Sequence, residues 1–257
     1  MITSKELKRR SRAVLEGKYF IAASLTTSLM LFSFAMSYLL QLTGFSQSDK
    51  LMYQAFSWIL WAIMMLLGAL LEIGLIKFLY AVSRGEQVLQ PGVLFYAFKN
   101  QPDTFILTCG FRYLITLIWF VPALLKFLQL PMETMEFAEL PGALLPVLGL
   151  VLAGAVPAVL FALPFCLTNY ILLDDPYCSA TEALRTSFAL TKGRRKRILF
   201  LWLSFLPMLL LCIGSYGLGF LWVRPYYHTT MSQFYIELTG KNYAEETTAD
   251  SDNYNFS

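Results

Sequence analysis

Charge is scarce in this sequence. Asp, Glu, Lys and Arg together make up 14% of its 257 residues, where a soluble domain carries about 25%. A chain that is 57% hydrophobic cannot hide its apolar surface in one core and still cover itself with charge. An ordinary soluble fold is therefore excluded, and the bilayer is the expected solvent. Histidine is almost missing, with His228 alone. Cys109, Cys166, Cys178 and Cys212 form no CxxC pair and no Cys/His spacing that suits zinc, so isolated packed thiols are expected rather than a metal site. Long polar stretches are lacking too. Spans of about 20 residues leave no connection longer than about 25 residues, so no separate soluble domain fits between them.

Catalytic motifs are equally absent. There is no HExxH, no GxSxG and no GxxxxGK(S/T), which removes the support for zinc-protease, hydrolase and P-loop chemistry. Asp174-Asp175-Pro176 is not a DDxxD magnesium site, because Cys178 occupies the final position. Asp175-Pro176 reads instead as a turn. Gly214, Gly217 and Gly219 follow no strand, so they form no nucleotide loop. The expectation is a chain that is not an enzyme, takes no cofactor and binds no nucleic acid.

What is present is apolar helix. Five strong spans lie at about 19–43, 55–80, 104–128, 142–173 and 198–217, apolar on all sides and so unlike the surface helices of a soluble bundle. The first follows six basic residues but is too long for the core of a signal peptide, which makes it an uncleaved span. Pro157 and Pro164 lie nearly on one face of the fourth and predict a kink. A sixth segment, 218–238, starts apolar and turns polar and aromatic, with Gly214, Gly217 and Gly219 placed to make a tight reversal before it. Hydropathy alone favours five spans. Residues 239–257 hold Glu245, Glu246, Asp250 and Asp252 with little apolar content, and predict a disordered acidic tail.

Lysine and arginine placement orients the chain. The N-terminus and the 2–3 and 4–5 connections are basic. The 1–2 connection has only Lys50, and the 3–4 connection has Lys126 with Glu133, Glu136 and Glu139. The N-terminus and the even-numbered connections are thus expected on the cytoplasmic side, with Arg224 outside if there are six spans. Three cytoplasmic segments have the pattern of in-plane helices. Thr3 and Glu6 have capping-box spacing, after which Lys5, Lys8, Arg9 and Arg12 share one face with Leu7 and Val14 opposite. Gly92 to Lys99 carries Leu94, Phe95 and Phe98. Ser179 and Glu182 open a third helix, with Ala180, Ala183, Leu184, Ser187 and Phe188 on one face and Gly193 as its stop. The basic residues Lys5, Lys8, Arg9, Arg12, Arg194, Arg195, Lys196 and Arg197 either fix topology alone or also bind lipid headgroups or a membrane-protein partner.

These segments also carry a likeness. Leu7-Lys8 with Leu15-Glu16-Gly17, then Pro157, Asp175-Pro176, Glu182-Ala183-Leu184 with Ser187, and Lys192-Gly193 follow one pattern. Gly217, Gly219, Pro225, Tyr226, Phe234, Tyr235 and Leu238 close it. Together they resemble the domain of unknown function 975 family of bacterial integral membrane proteins, over nearly the whole chain to about residue 240. Thr191 stands where that pattern has Met. The resemblance implies an all-α transmembrane bundle of six helices rather than five, with 218–238 returning inward and both ends inside the bacterial cytoplasmic membrane. It implies no activity.

Charges within spans are costly and are a default functional signal. Glu72 lies about eight residues from the inner end of span two and Arg112 about eight residues into span three, both roughly 12 Å deep at 1.5 Å per residue. Consecutive antiparallel helices are usually neighbours, so a Glu72–Arg112 ion pair is predicted, serving helix register, a polar pathway or a ligand. Asn169 and Tyr170 either line a crevice at the bend of span four or hydrogen-bond between helices. Two function classes follow. One is a non-catalytic membrane module that interacts with lipids or serves a membrane complex. The other is a small-solute transporter or channel using the polar site around Glu72 and Arg112.

Overall fold

The computed structural model describes residues 3–42, 51–86, 91–130 and 139–240, and every regular element among them is helical. Five helices are long and apolar enough to cross a membrane: Tyr19–Leu42, Ala55–Ser83, Pro102–Leu128, Leu140–Asp174 and Arg195–Gly214. Three of these are interrupted where proline or a short 3-10 turn breaks the ladder. The elements are therefore α1 (Ser4–Leu15), α2 (Tyr19–Leu42), α3 (Leu51–Ser83), α4 (Tyr96–Lys99), α5 (Pro102–Leu117) and α6 (Val121–Leu128). They continue as α7 (Leu140–Ala162), α8 (Thr168–Asp174), α9 (Ala180–Thr191), α10 (Arg195–Leu203), α11 (Leu206–Gly214) and α12 (Phe220–Thr239). Glu133, Glu136 and Lys50, and the acidic tail from residue 241, lie outside the described residues. Thr239, expected to open that tail, is the last residue of α12, and Gly240 closes the helix in a left-handed conformation.

The sixth helix is long enough to span but not apolar enough, and the structure shows why that pattern is tolerated. α12 packs against α1, α2, α3 and α11. Tyr226, His228, Thr229, Thr230, Met231, Ser232, Phe234, Tyr235 and Ile236 are all buried in protein. Its buried Thr and Ser hydroxyls return to their own helix: Thr229 donates to Pro225 O at 2.8 Å, Thr230 to Tyr226 O at 2.7 Å and Ser232 to His228 O at 2.9 Å. A buried donor left unpaired costs about 1–3 kcal/mol, and these local bonds remove that penalty. The reversal before α12 uses two of the three expected glycines, Gly214 being the last residue of α11. Gly217 adopts φ +90°, and a side chain on Gly219 would strike Cys212.

Packing is uneven along the helices. Residues 69–82 of α3 and 168–173 of α8 are almost wholly buried, whereas much of the first half of α3 and of α7 exposes large apolar side chains such as Met52, Trp58, Ile59, Leu145, Leu148 and Leu152. One end of the molecule is thus filled by protein, and the other keeps large apolar side chains on its surface.

The short amphipathic helices lock the filled end. In α1, Thr3 Oγ1 accepts from the Glu6 amide at 3.4 Å, and Leu7, Ser11 and Leu15 form the buried face against α12. α9 starts on Ser179, whose Oγ accepts from the Glu182 amide at 3.3 Å, and Gly193 stands beyond its end at φ +80°. The fourth span is interrupted at Leu163–Phe165, a 3-10 turn containing Pro164 between α7 and α8, while Pro157 lies inside α7. The Pro164 carbonyl there accepts from Ser187 Oγ at 2.7 Å, while Thr191 Oγ1 donates to the Ser187 carbonyl of its own helix at 2.9 Å and lies 3.4 Å from Pro164 O. Thr191, the departure from the family pattern, is thus a buried hydrogen-bond donor.

Two glycines set helix approach. A Cβ on Gly74 would collide with the Leu94 backbone, and one on Gly154 with the Trp119 carbonyl. Gly74→Ala and Gly154→Ala should each cost about 1–3 kcal/mol of stability through overpacking. Gly68→Ala and Gly149→Ala, which open onto free space, serve as controls. Thermal melts in detergent read the difference, and equal melting temperatures for all four variants would contradict this packing.

Candidate functional site

The polar centre lies where α3, α5, α8 and α12 meet. Arg224 and His228 are one turn apart on α12 and therefore share a face. Both reach the Glu72 carboxylate on α3. Arg224 Nη2 lies 2.8 Å from Glu72 Oε1 and its Nε 3.1 Å, while His228 Nε2 lies 3.2 Å from the same oxygen. Arg112 does not pair with Glu72. Its Nη1 donates to Asn169 Oδ1 of α8 at 3.2 Å, and among the described residues it has no carboxylate within ion-pair distance. The expected Glu72–Arg112 pair is therefore corrected to Glu72–Arg224. Depth alone placed the first two together, but α12 packs directly on α3 and presents a guanidinium at that level. Arg224, assigned to the outer side by counting, is turned into the bundle by this bond.

Asn169 and Tyr170 play different parts. Asn169 holds Arg112, and Tyr170 donates its hydroxyl to the His228 carbonyl at 3.2 Å. The second is a helix–helix hydrogen bond.

Two cavities meet at this centre. One, of about 590 Å³, has Glu72, Arg112, Arg224 and His228 on its polar side and Met30, Leu209, Phe220 and Val223 on its apolar side. The other, of about 200 Å³, shares Glu72, Arg112 and His228 and is completed by Asn169, Tyr113 and Thr116 among others. A polar floor with apolar walls is the form of small-ligand sites.

A second cluster escaped the sequence reading. Asp174, at the end of α8, accepts from Tyr80 at 3.1 Å and Tyr235 at 3.2 Å, with Arg84 3.7 Å away. Tyr80, Tyr170 and Tyr235 pack ring to ring, with centroids 5.9–6.1 Å apart. Nearby, Arg197 clasps Glu237 with both terminal nitrogens, at 2.6 and 3.0 Å. For Arg224 and His228 a legible signal existed in their i, i+4 spacing on the polar segment 218–238. For Asp174 the adjacent turn motif hid it.

The basic face is divided. Lys5, Arg9, Arg12 and Lys196 are exposed. Lys8 and Arg197 are corrected inward: Arg197 is held by Glu237, and Lys8 Nζ donates to Ser204 O at 2.7 Å and lies 4.2 Å above the Phe205 ring. Burial lowers the Lys8 pKa from its ordinary value, helped by the Arg12 charge. Arg194 bonds the Leu190 carbonyl at 3.3 Å, and Arg195 stacks on Phe188 at 4.6 Å. Among the described residues no three His, Cys, Asp or Glu side chains are grouped as metal ligands, and all four cysteines are free and buried.

Glu72→Gln leaves Arg224 without its counter-charge. Because the two side chains are 26% and 31% exposed, the cost should be about 2–4 kcal/mol, at or below that of a fully buried pair. A double-mutant cycle should give a coupling of at least about 1 kcal/mol for Glu72 with Arg224 and near zero for Glu72 with Arg112. The reverse order of couplings would restore the sequence-based pairing.

Comparison with curated proteins and with solved structures finds no match. A family model does match, over residues 1–242, and its description is "Protein of unknown function (DUF975)". That match takes in all of α1 to α12 and every residue of the polar centre, so the chain belongs to the DUF975 family.

Proposed function

We propose that this chain is a non-catalytic, multi-pass module of the bacterial cytoplasmic membrane, with its N-terminus inside, whose work is to engage membrane lipids, alone or beside a membrane-protein partner. The observation that carries this reading is the 590 Å³ cavity, in which a charged floor meets apolar walls drawn from α2, α11 and α12. A lipid matches both halves, its headgroup the charged floor and its hydrocarbon the apolar walls. The exposed Lys5, Arg9, Arg12 and Lys196 add favourable contacts to anionic headgroups of about 1 kcal/mol each near a charged surface.

The test is native mass spectrometry of the full chain released from its membrane in mild detergent. Retained lipid adducts, and a melting temperature that rises when lipid is returned to delipidated protein, are the expected results. Protein that carries no lipid and is unmoved by lipid addition would overturn the reading.

A second reading, a small-solute transporter, is favoured by one observation: the 590 and 200 Å³ cavities meet at Glu72, Arg112 and His228, so the polar centre stands between two chambers. Proteoliposomes loaded with inorganic phosphate distinguish the two. A lipid module leaves release at the protein-free rate, and protein-dependent release that Glu72→Gln changes would favour transport.

A further inference from the structure

We infer that the 590 Å³ cavity is a specific site for one anionic membrane lipid, with the Arg112 guanidinium holding its acidic headgroup and the hydrocarbon lying along Met30, Leu209, Phe220 and Val223. This rests on the lipid reading above and narrows it to a place, a charge sign and an anchoring residue.

Charge selects the occupant. Glu72 and Arg224 neutralise each other at 2.8 Å, and Arg112 bonds the neutral amide of Asn169 with no carboxylate within ion-pair distance among the described residues. With Glu72 and Arg224 paired, Arg112 leaves the cavity floor with a positive charge in excess. A guanidinium has five N–H donors. The single bond to Asn169 fixes the orientation of Arg112 and leaves donors for the paired oxygens of a phosphate or carboxylate, the geometry for which arginine is suited.

Position selects a lipid rather than a free anion. The cavity is lined from α2, α3, α5, α12 and the α10–α11 stretch, that is, from four helices apolar enough to cross a membrane and the polar helix between them. Leu209 and Phe220 remain more than a third exposed at its edge, so it opens onto the same medium as the surrounding apolar faces. Its volume lies within the roughly 300–1,000 Å³ of sites that enclose small molecules. Inorganic phosphate would satisfy Arg112 but leave the apolar wall unfilled.

The experiment titrates the delipidated full chain with phosphatidylglycerol, with phosphatidylcholine and with inorganic phosphate, reading bound stoichiometry by native mass spectrometry. Wild-type protein should hold one phosphatidylglycerol in preference to phosphatidylcholine by about tenfold or more. Arg112→Gln should erase that preference, and Leu209→Trp, which fills the apolar wall and keeps Arg112, should lower phosphatidylglycerol binding by about tenfold as well. The combined Lys99→Gln and Lys192→Gln variant, which removes two exposed positive charges that do not line the cavity, should keep the preference. Loss of preference in that variant with Arg112→Gln unaffected would overturn this site while leaving lipid engagement intact. No lipid retained by wild-type protein would remove the broader reading as well. Phosphate competing fully with phosphatidylglycerol would show an anion site without a lipid role. Should Arg112→Gln fail to fold, Leu209→Trp decides the matter by itself.

Discussion

A helix that carries Arg224, His228, Thr229, Thr230, Ser232 and Gln233 can sit among apolar spans only if protein surrounds it. That constraint organises the molecule. α12 is enclosed by α1, α2 and α3, its buried Thr and Ser hydroxyls bond its own backbone, and its guanidinium and imidazole share the one carboxylate that α3 places at their level. Without Glu72, the bonds around α12 would still satisfy its neutral groups but not its charge. The lower hydropathy of this helix is therefore the mark of a central element, because a helix screened from lipid by its neighbours does not need an apolar surface of its own. The tight packing of residues 69–82 is the other side of the same arrangement.

The N-terminal helix contributes to that enclosure in a way charge counting does not register. Pro207 interrupts the fifth span between α10 and α11, and a helix end at that break leaves carbonyls in need of donors. Lys8 supplies one at Ser204, with its charge placed at the negative end of α10. Tyr226 of α12 donates to the Lys8 carbonyl at 3.4 Å. A residue that looks like one more positive charge on a basic face is in fact a clasp between α1, the break between α10 and α11, and α12.

Composition and periodicity made much of the architecture legible. Apolar run length marks the five membrane-competent helices, and the Ser179/Glu182 and Thr3/Glu6 spacings mark α9 and α1, because capping is a local property written in a few adjacent residues. Side-chain partnership is different in kind. Glu72 and Arg112 lie at comparable depth on consecutive helices, yet the partner of Glu72 comes from 152 residues later in the chain. Depth is one coordinate of three, and the angular position of each helix is set by all its neighbours at once. Asp174 was obscure for a related reason. Its role depends on Tyr80 and Tyr235 arriving from two other helices, and nothing near it in sequence announces them.

The bond from Ser187 to the Pro164 carbonyl ties the break of the fourth span to an amphipathic helix outside it. Moving α9 off that span would strip the carbonyl of its donor, so the seating of α9 and the break are coupled. The carbonyl stands a few residues before the α8 residues that bond Arg112 and His228. Surface and interior are joined there by one backbone oxygen.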